Sequence, residues 1–165
     1  MSRPAAGNAR TSWALVLVRL TVALLLLTQG WSAIQAGTPD GGDLQGSVSS
    51  RLADQNGMLQ WWGETVLLNN PDGAAFLWRW GLFLLGLLLT LGALTRPAGL
   101  FAAFLMLNAW AFGPAYLSET FLLAVACCLS ASISGSGRHF GLDSIFDQHF
   151  PSWLTWVRTV RSPFG

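Results

Sequence analysis

The chain has 165 residues, of which 52% are hydrophobic and 10% are charged, and its formal net charge is +1. Charged residues make up about a quarter of an average soluble domain. This chain therefore has too few polar groups to cover its surface in water, and lipid is the expected solvent. No basic stripe is present, which argues against nucleic acid as a partner. The two cysteines, Cys127 and Cys128, are adjacent in an apolar run and fit neither a disulfide framework nor a metal-binding spacing.

The N-terminal part predicts a short tail followed by a membrane-spanning helix. Residues 1–12 are polar and small and are predicted to be a cytoplasmic tail, whereas residues 13–36 form the first long apolar run. A cleaved signal peptide is the rival interpretation, because the start is basic and Ala36 precedes a glycine. Three features argue against a signal peptide: the apolar run is longer than usual for one, Ile34 is bulky for a position before a cleavage site, and Arg19 interrupts the run. An uncleaved helix is therefore predicted.

Residues 37–73 form the one long connection and are predicted to lie outside the membrane. Leu44, Val48 and Leu52 recur every four residues, which predicts an amphipathic helix on the membrane surface. A second amphipathic piece contains Trp61 and Trp62, and tryptophan is enriched at the level of the lipid headgroups.

Two apolar runs then follow with only Thr95-Arg96-Pro97 between them. A helix needs about 20 apolar residues to cross a bilayer, so these runs predict a tight transmembrane hairpin with spans of about 74–95 and 97–113. Proline is favoured at the first helical position, and Pro97 is therefore predicted to begin the third span. Arg96 is predicted to lie at the turn, among the headgroups.

The fourth span is predicted at about 118–135. Ser118 and Glu119 suit a helix N-terminus, where a hydroxyl and an acid satisfy free N–H groups and the helix dipole. Residues 13–146 then form one four-span domain, and residues 147–165 form an interfacial cytoplasmic tail. The predicted fold class is an all-α membrane protein: a four-helix transmembrane bundle with interfacial amphipathic segments.

The arginines predict the orientation of this bundle. A bundle of four spans has both termini on the same side of the membrane. On the opposite side, the only arginine is Arg51. The terminal side would carry six arginines: Arg3, Arg10, Arg96, Arg138, Arg158 and Arg161. Positive charge is enriched on the cytoplasmic side of membrane proteins, so both termini are predicted to be cytoplasmic.

Few residues could carry chemistry. Arg19 and Arg79 are the intramembrane charges, and such residues are functional candidates, although long side chains can also reach the interface. Asn108, in the third span, is predicted to make an interhelical hydrogen bond, with a ligand contact as the alternative. Glu119 is predicted to be a helix-start residue. No nucleophile with a base, phosphate-binding loop or metal cluster is evident, so these residues alone predict a four-helix membrane protein without an assigned activity.

Three segments carry a family resemblance. They are Val18-Arg19-Leu20 with Gly30, the run from Gly81 through Gly86, Gly92 and Arg96 to Asn108, and Ser134–Arg138 with Gly141-Leu142-Asp143. Together they resemble the DoxX/DoxD family of small bacterial and archaeal membrane proteins. The resemblance implies a four-span subunit of the bacterial cytoplasmic (inner) membrane, with no known cofactor of its own. Members are associated with quinone-linked enzymes such as thiosulfate:quinone oxidoreductase.

The resemblance leads to two functional hypotheses. The first is a non-catalytic accessory subunit of a larger membrane electron-transfer complex, respiratory or photosynthetic, in contact with lipids and with other subunits. The alternative is a quinone-interacting subunit, in which Arg19 and Asn108 are the candidate quinone contacts. Arg96, Glu119 and Arg138 fit the family pattern and are expected to be structural polar residues.

One departure matters: family members usually carry a glutamate where this chain has Leu82, and an intramembrane acid is the expected group for proton or quinone chemistry. A solute carrier is disfavoured, because the spans show neither broken helices nor paired polar sites at the midplane.

Overall fold

The computed structural model describes residues 7–53, 55, 57–113 and 118–134. Within these ranges the chain is all-helical, with six α-helices, one π-helical turn and no strand. The elements are α1 (Gly7–Ala36), α2 (Gly41–Leu52), α3 (Met58–Trp62), the π-helical turn Gly63–Leu67, α4 (Pro71–Leu91), α5 (Thr95–Phe112) and α6 (Ser118–Ser134). Helix α1 begins before the predicted start of the first span, inside the predicted tail. The predicted interfacial tail 147–165 and Arg138 lie outside the described residues.

The hairpin between α4 and α5 turns earlier than predicted. Gly92 has a φ of 63° and ends α4, and its N–H donates back to the carbonyls of the last helical turn. Glycine tolerates this left-handed conformation because it has no Cβ, which makes it the usual helix terminator. The turn therefore consists of residues 92–94, α5 begins at Thr95, and Pro97 lies within the first turn of α5 instead of beginning it.

Side chains cap the starts of two helices. Asp40 and Asp43 form a reciprocal capping box at α2, and the side chain of Asn70 accepts a hydrogen bond from the Gly73 N–H at the start of α4. Pro71 follows directly as the first residue of α4. A backbone N–H at this position would have no acceptor within the helix, so proline, which lacks the N–H, is favoured there.

The four longest helices pack in a closed ring. Helix α1 packs on α4 and α5 packs on α6, and smaller contacts join α4 to α5 and α1 to α6. Glycines allow the helices of these two pairs, α1 with α4 and α5 with α6, to pack closely. Gly30 and Gly86 lie at the α1–α4 crossing, and Gly99 lies at the α5–α6 crossing. The shared core contains Leu26, Leu82 and their apolar neighbours from all four helices.

The predicted amphipathic helix in the long connection is present as α2. Its apolar face, formed by Leu44, Val48 and Leu52, packs against Ala111 and Phe112 at the end of α5. Protein thus covers the face that the sequence alone assigned to the membrane surface. The connection forms a cap over this end of the bundle.

The outer surface of the long helices is apolar. Among the residues that the structure describes, two helices are long and apolar enough to cross a membrane, namely Trp13–Ala36 within α1 and Pro71–Leu91, and Glu119–Ile133 within α6 is a shorter apolar stretch. Large apolar side chains project outward from α1, α5 and α6, including Leu24 (63% exposed), Phe101 (62%), Leu123 (67%) and Ile133 (78%). Soluble monomers rarely expose apolar patches of this extent.

Candidate functional site

The buried polar side chains of the described residues are Arg19 (2% exposed), Thr95 (0%) and Ser132 (4%). Ser132 Oγ donates a hydrogen bond of 2.8 Å to the backbone carbonyl of Arg96, which joins the end of α6 to the start of α5. Thr95 precedes Arg96 in the chain, so Thr95 and Ser132 lie at the end of the bundle that contains the α4–α5 turn. We call this end the turn end.

Arg19 lies at the turn end as well. Gly30 approaches Phe83 while Gly86 approaches Leu27, so α1 and α4 run antiparallel. Continuing this register toward the start of α1 places Arg19 level with the α4–α5 turn. Two atoms of its guanidinium group, Nε and Nη1, are buried and make no hydrogen bond within the described residues. Arg19 as a whole is not without a partner, because it makes another interaction within the protein. A charge inside a membrane bundle is energetically costly, and bundle-facing charges are functional candidates.

Asn108 belongs to the opposite end, which we call the loop end because the long connection covers it. Its Oδ1 accepts a hydrogen bond of 2.8 Å from Trp62 Nε1, and its Nδ2 donates one of 2.8 Å to the Phe104 carbonyl. The Trp62 ring also packs edge-on against Phe104, with ring centroids 5.6 Å apart. The predicted interhelical hydrogen bond is therefore confirmed, but it joins α5 to α3 instead of to another long helix.

Two arginines at the loop end satisfy backbone carbonyls. Arg79 Nη1 donates to the Gly37 carbonyl at 2.9 Å, and Arg51 Nη2 donates to the Gly113 carbonyl at 2.9 Å. Both acceptors directly follow the C-terminus of a long helix, where a cation is stabilised by the helix dipole. Arg79, a functional candidate from the sequence, thus serves to close the end of α1.

The two candidate quinone contacts are far apart. Asn108 is twelve residues beyond Arg96 in the same helix, which corresponds to about 18 Å along the axis. Since Arg19 lies at the turn end with Arg96, one quinone headgroup could not contact both Arg19 and Asn108. Of the other predicted polar residues, Arg96 is half-buried at the turn end, and Glu119 is exposed in the first turn of α6, as predicted.

Sequence reasoning missed two partners. Ser132 lies on the same face of α6 as Ala124 and Cys128, and all three are buried. The sequence could therefore predict that Ser132 is on the packed face, but not that it bonds to the Arg96 carbonyl. Nothing in the sequence pairs Trp62 with Asn108, because the two residues are 46 positions apart.

A family model described as DoxX matches residues 14–115, which is more than half of the chain. The chain belongs to the DoxX family. No curated protein and no solved structure matches it in the same comparisons. The DoxX match covers Arg19, Leu82 and Asn108 and ends before α6. With its apolar outer surface, this DoxX chain is a membrane protein.

Proposed function

We propose that this DoxX protein is a non-catalytic accessory subunit of a larger membrane electron-transfer complex, of the respiratory or photosynthetic type. One observation carries the proposal: the amide of Asn108, the best ligand candidate at the loop end, is engaged at both its oxygen and its nitrogen by Trp62 and Phe104. A group that would bind a ligand in a catalytic bundle here joins α5 to α3 through its oxygen and bonds its own helix through its nitrogen. The chain then binds no cofactor itself and contacts lipids and the other subunits of its complex.

The environment of Leu82 supports a structural role. Leu82 is 2% exposed and belongs to the apolar core formed by all four long helices. This is the position at which family members usually carry a glutamate. A leucine can neither accept a proton nor hydrogen-bond a quinone, and it adds apolar packing to the core instead.

The proposal includes a four-span topology with both termini in the cytoplasm of a bacterium and the chain in its inner membrane. Helices α5 and α6, with 18 and 17 residues, are about 26 Å long, which nearly covers a hydrocarbon core of about 30 Å. Single cysteines at Ser47 and Ser152, labelled from each side of the membrane against the background of Cys127 and Cys128, test the orientation. We expect the two sites to be labelled from opposite sides. Labelling from the same side would contradict the topology.

A quinone-interacting subunit is the second candidate, and Arg19 favours it. A quinone oxygen needs a hydrogen-bond donor in an otherwise apolar pocket. Arg19 is almost fully buried, at 2% exposure, and lies at the turn end of the bundle, as Thr95 and Ser132 do. In this alternative, the turn end is the place where the quinone headgroup meets the bundle.

Purification in a mild detergent followed by mass spectrometry tests the accessory role. We expect other polypeptides that carry haem, flavin or pigment to co-isolate with the chain. Isolation without any other polypeptide would contradict the proposal.

Two substitutions separate the candidate functions, namely Arg19→Leu and Asn108→Leu, with Thr90→Leu as the control. Thr90 is exposed on α4 and bonds only its own helix, to the Gly86 carbonyl. For an accessory subunit, the first two changes lower subunit occupancy and activity of the complex together. Full occupancy with lost quinone reduction would instead establish the quinone-interacting subunit. The control should change neither quantity.

A further inference from the structure

Gln29 stands out on the exposed side of α1. Its side chain is exposed, and its carboxamide makes no hydrogen bond within the described part of the chain, although its backbone carbonyl accepts one from Ser32. Gln29 lies seven residues before the end of the candidate span at Ala36, or about 10 Å along the helix. This depth places the carboxamide within the hydrocarbon layer.

Two exposed threonines of α1 differ from Gln29, because their own helix satisfies them. Thr21 Oγ1 donates to the Leu17 carbonyl at 2.9 Å, and Thr28 Oγ1 donates to the Leu24 carbonyl at 3.0 Å. Threonine hydroxyls can therefore face lipid without an outside partner. A glutamine carboxamide at the same surface requires a hydrogen-bond partner that lipid chains cannot supply.

The residues around Gln29 form a regular seam along α1. Leu25, Gln29, Ser32 and Ala36 follow one another at steps of four, three and four residues. Positions with this spacing lie on one helix face and form the contact seam of left-handed helix pairs. All four residues are exposed. Ser32 and Ala36 are small, which allows a second helix to approach closely.

We propose that two copies of this chain pair in the membrane through the α1 seam, with the Gln29 carboxamides bonded to each other. All copies have the same orientation in the membrane, so a two-fold axis along the membrane normal places both Gln29 side chains at one depth. A carboxamide carries both donors and an acceptor, and two of them facing each other satisfy one another. This self-complementarity identifies a second copy as the partner.

Cysteine cross-linking of the purified full-length chain tests the pairing. Leu25→Cys reports on the seam, and Leu84→Cys on α4 is the matched control, because both leucines are exposed, at 36% and 51%. The chains are reconstituted in vesicles of phosphatidylethanolamine and phosphatidylglycerol and oxidised, and the unsubstituted chain supplies the background from Cys127 and Cys128. We expect a covalent dimer from Leu25→Cys only. A dimer yield no higher than that of Leu84→Cys would overturn the proposal.

The role of Gln29 is tested in the Leu25→Cys chain. Gln29→Leu should raise the protein-to-lipid ratio that gives half-maximal dimer by about three- to thirtyfold, the range expected for a lost interhelical hydrogen bond. Gln29→Asn keeps a carboxamide and should have a smaller effect, and Thr28→Val should have none. An unchanged dimer yield after Gln29→Leu would overturn the proposal. Because the vesicles contain only this chain, the result is independent of whether the chain is an accessory subunit.

Discussion

Replacing Gly30 with alanine is expected to force α1 away from α4. A methyl group at Gly30 would lie 2.5 Å from the backbone nitrogen of Phe83 and 2.8 Å from its Cα atom. These are backbone atoms within a helix, so no side-chain rotation can relieve the contact. Ordinary van der Waals contacts of a Cβ begin near 3.4 Å, so the helices would have to separate locally by about 1 Å.

The expected cost follows from two opposing effects. Inserting a methyl group into a well-packed contact typically costs about 1–3 kcal/mol, and a clash with rigid backbone belongs to the upper part of that range. Alanine recovers up to about 1 kcal/mol, because it is a better helix former than glycine. We therefore expect Gly30→Ala to lower the free energy of unfolding by about 1–2 kcal/mol.

Two other glycines provide controls for the same substitution. At Gly81 the added methyl would meet Leu105 Cδ1 at 3.1 Å and Leu77 Cδ1 at 4.0 Å, and both are flexible ends of side chains that can move. At Gly46, in α2, the methyl would meet nothing within 4 Å, so Gly46→Ala should stabilise the chain by about 0.5–1 kcal/mol through helix propensity.

Unfolding in mixed micelles with increasing sodium dodecyl sulfate, followed by tryptophan fluorescence, measures all three variants. The expected order of stability is Gly46→Ala, then Gly81→Ala, then Gly30→Ala. If Gly30→Ala proved as stable as Gly81→Ala, the close approach of α1 and α4 would be refuted.

The remaining predictions concern hydrogen bonds that join helices. Trp62→Phe keeps an aromatic ring but removes the indole donor to Asn108, and it should lower the free energy of unfolding by about 0.6–2 kcal/mol; in a double-mutant cycle with Asn108→Ala, no coupling would contradict the bond. Ser132→Ala removes the hydroxyl that joins α6 to α5 and should cost about 1 kcal/mol, whereas Ser130→Ala, at an exposed position of the same helix, should be neutral in the same assay. Arg51→Leu should loosen α2 from the end of α5, so amide hydrogen exchange in α2 should accelerate while exchange in α4 stays unchanged.

The helices could be predicted from the sequence because their signals are local. The apolar runs that became α1 and α4 are long enough to be recognised by length and composition alone, and the apolar stretch within α6 is shorter. The amphipathic period of Leu44, Val48 and Leu52 likewise predicted α2. The end of α4 was missed although its signal is also local: Gly92 is a left-handed helix terminator, and the more conspicuous Thr95-Arg96-Pro97 was taken for the turn instead.

The candidate site depended on contacts that the sequence could not show. Arg79 closes the end of α1 through a carbonyl 42 residues away, and Asn108 bonds to Trp62 across 46 residues. Neither residue type has a preferred partner at such a distance, because a guanidinium or a carboxamide bonds any acceptor that packing brings near.

The amino-acid sequence by itself thus determined the membrane environment, the helices and the DoxX family membership, since each is a property of composition, local spacing or motif. Tertiary structure alone decided which polar groups meet. The crossing of α1 and α4 at Gly30 and Gly86 set the register that places Arg19 at the turn end, and the cap of α2 and α3 engaged Asn108 at the loop end. Within an apolar bundle few polar groups are within reach of one another, so the packing of the helices selects each hydrogen-bond partner.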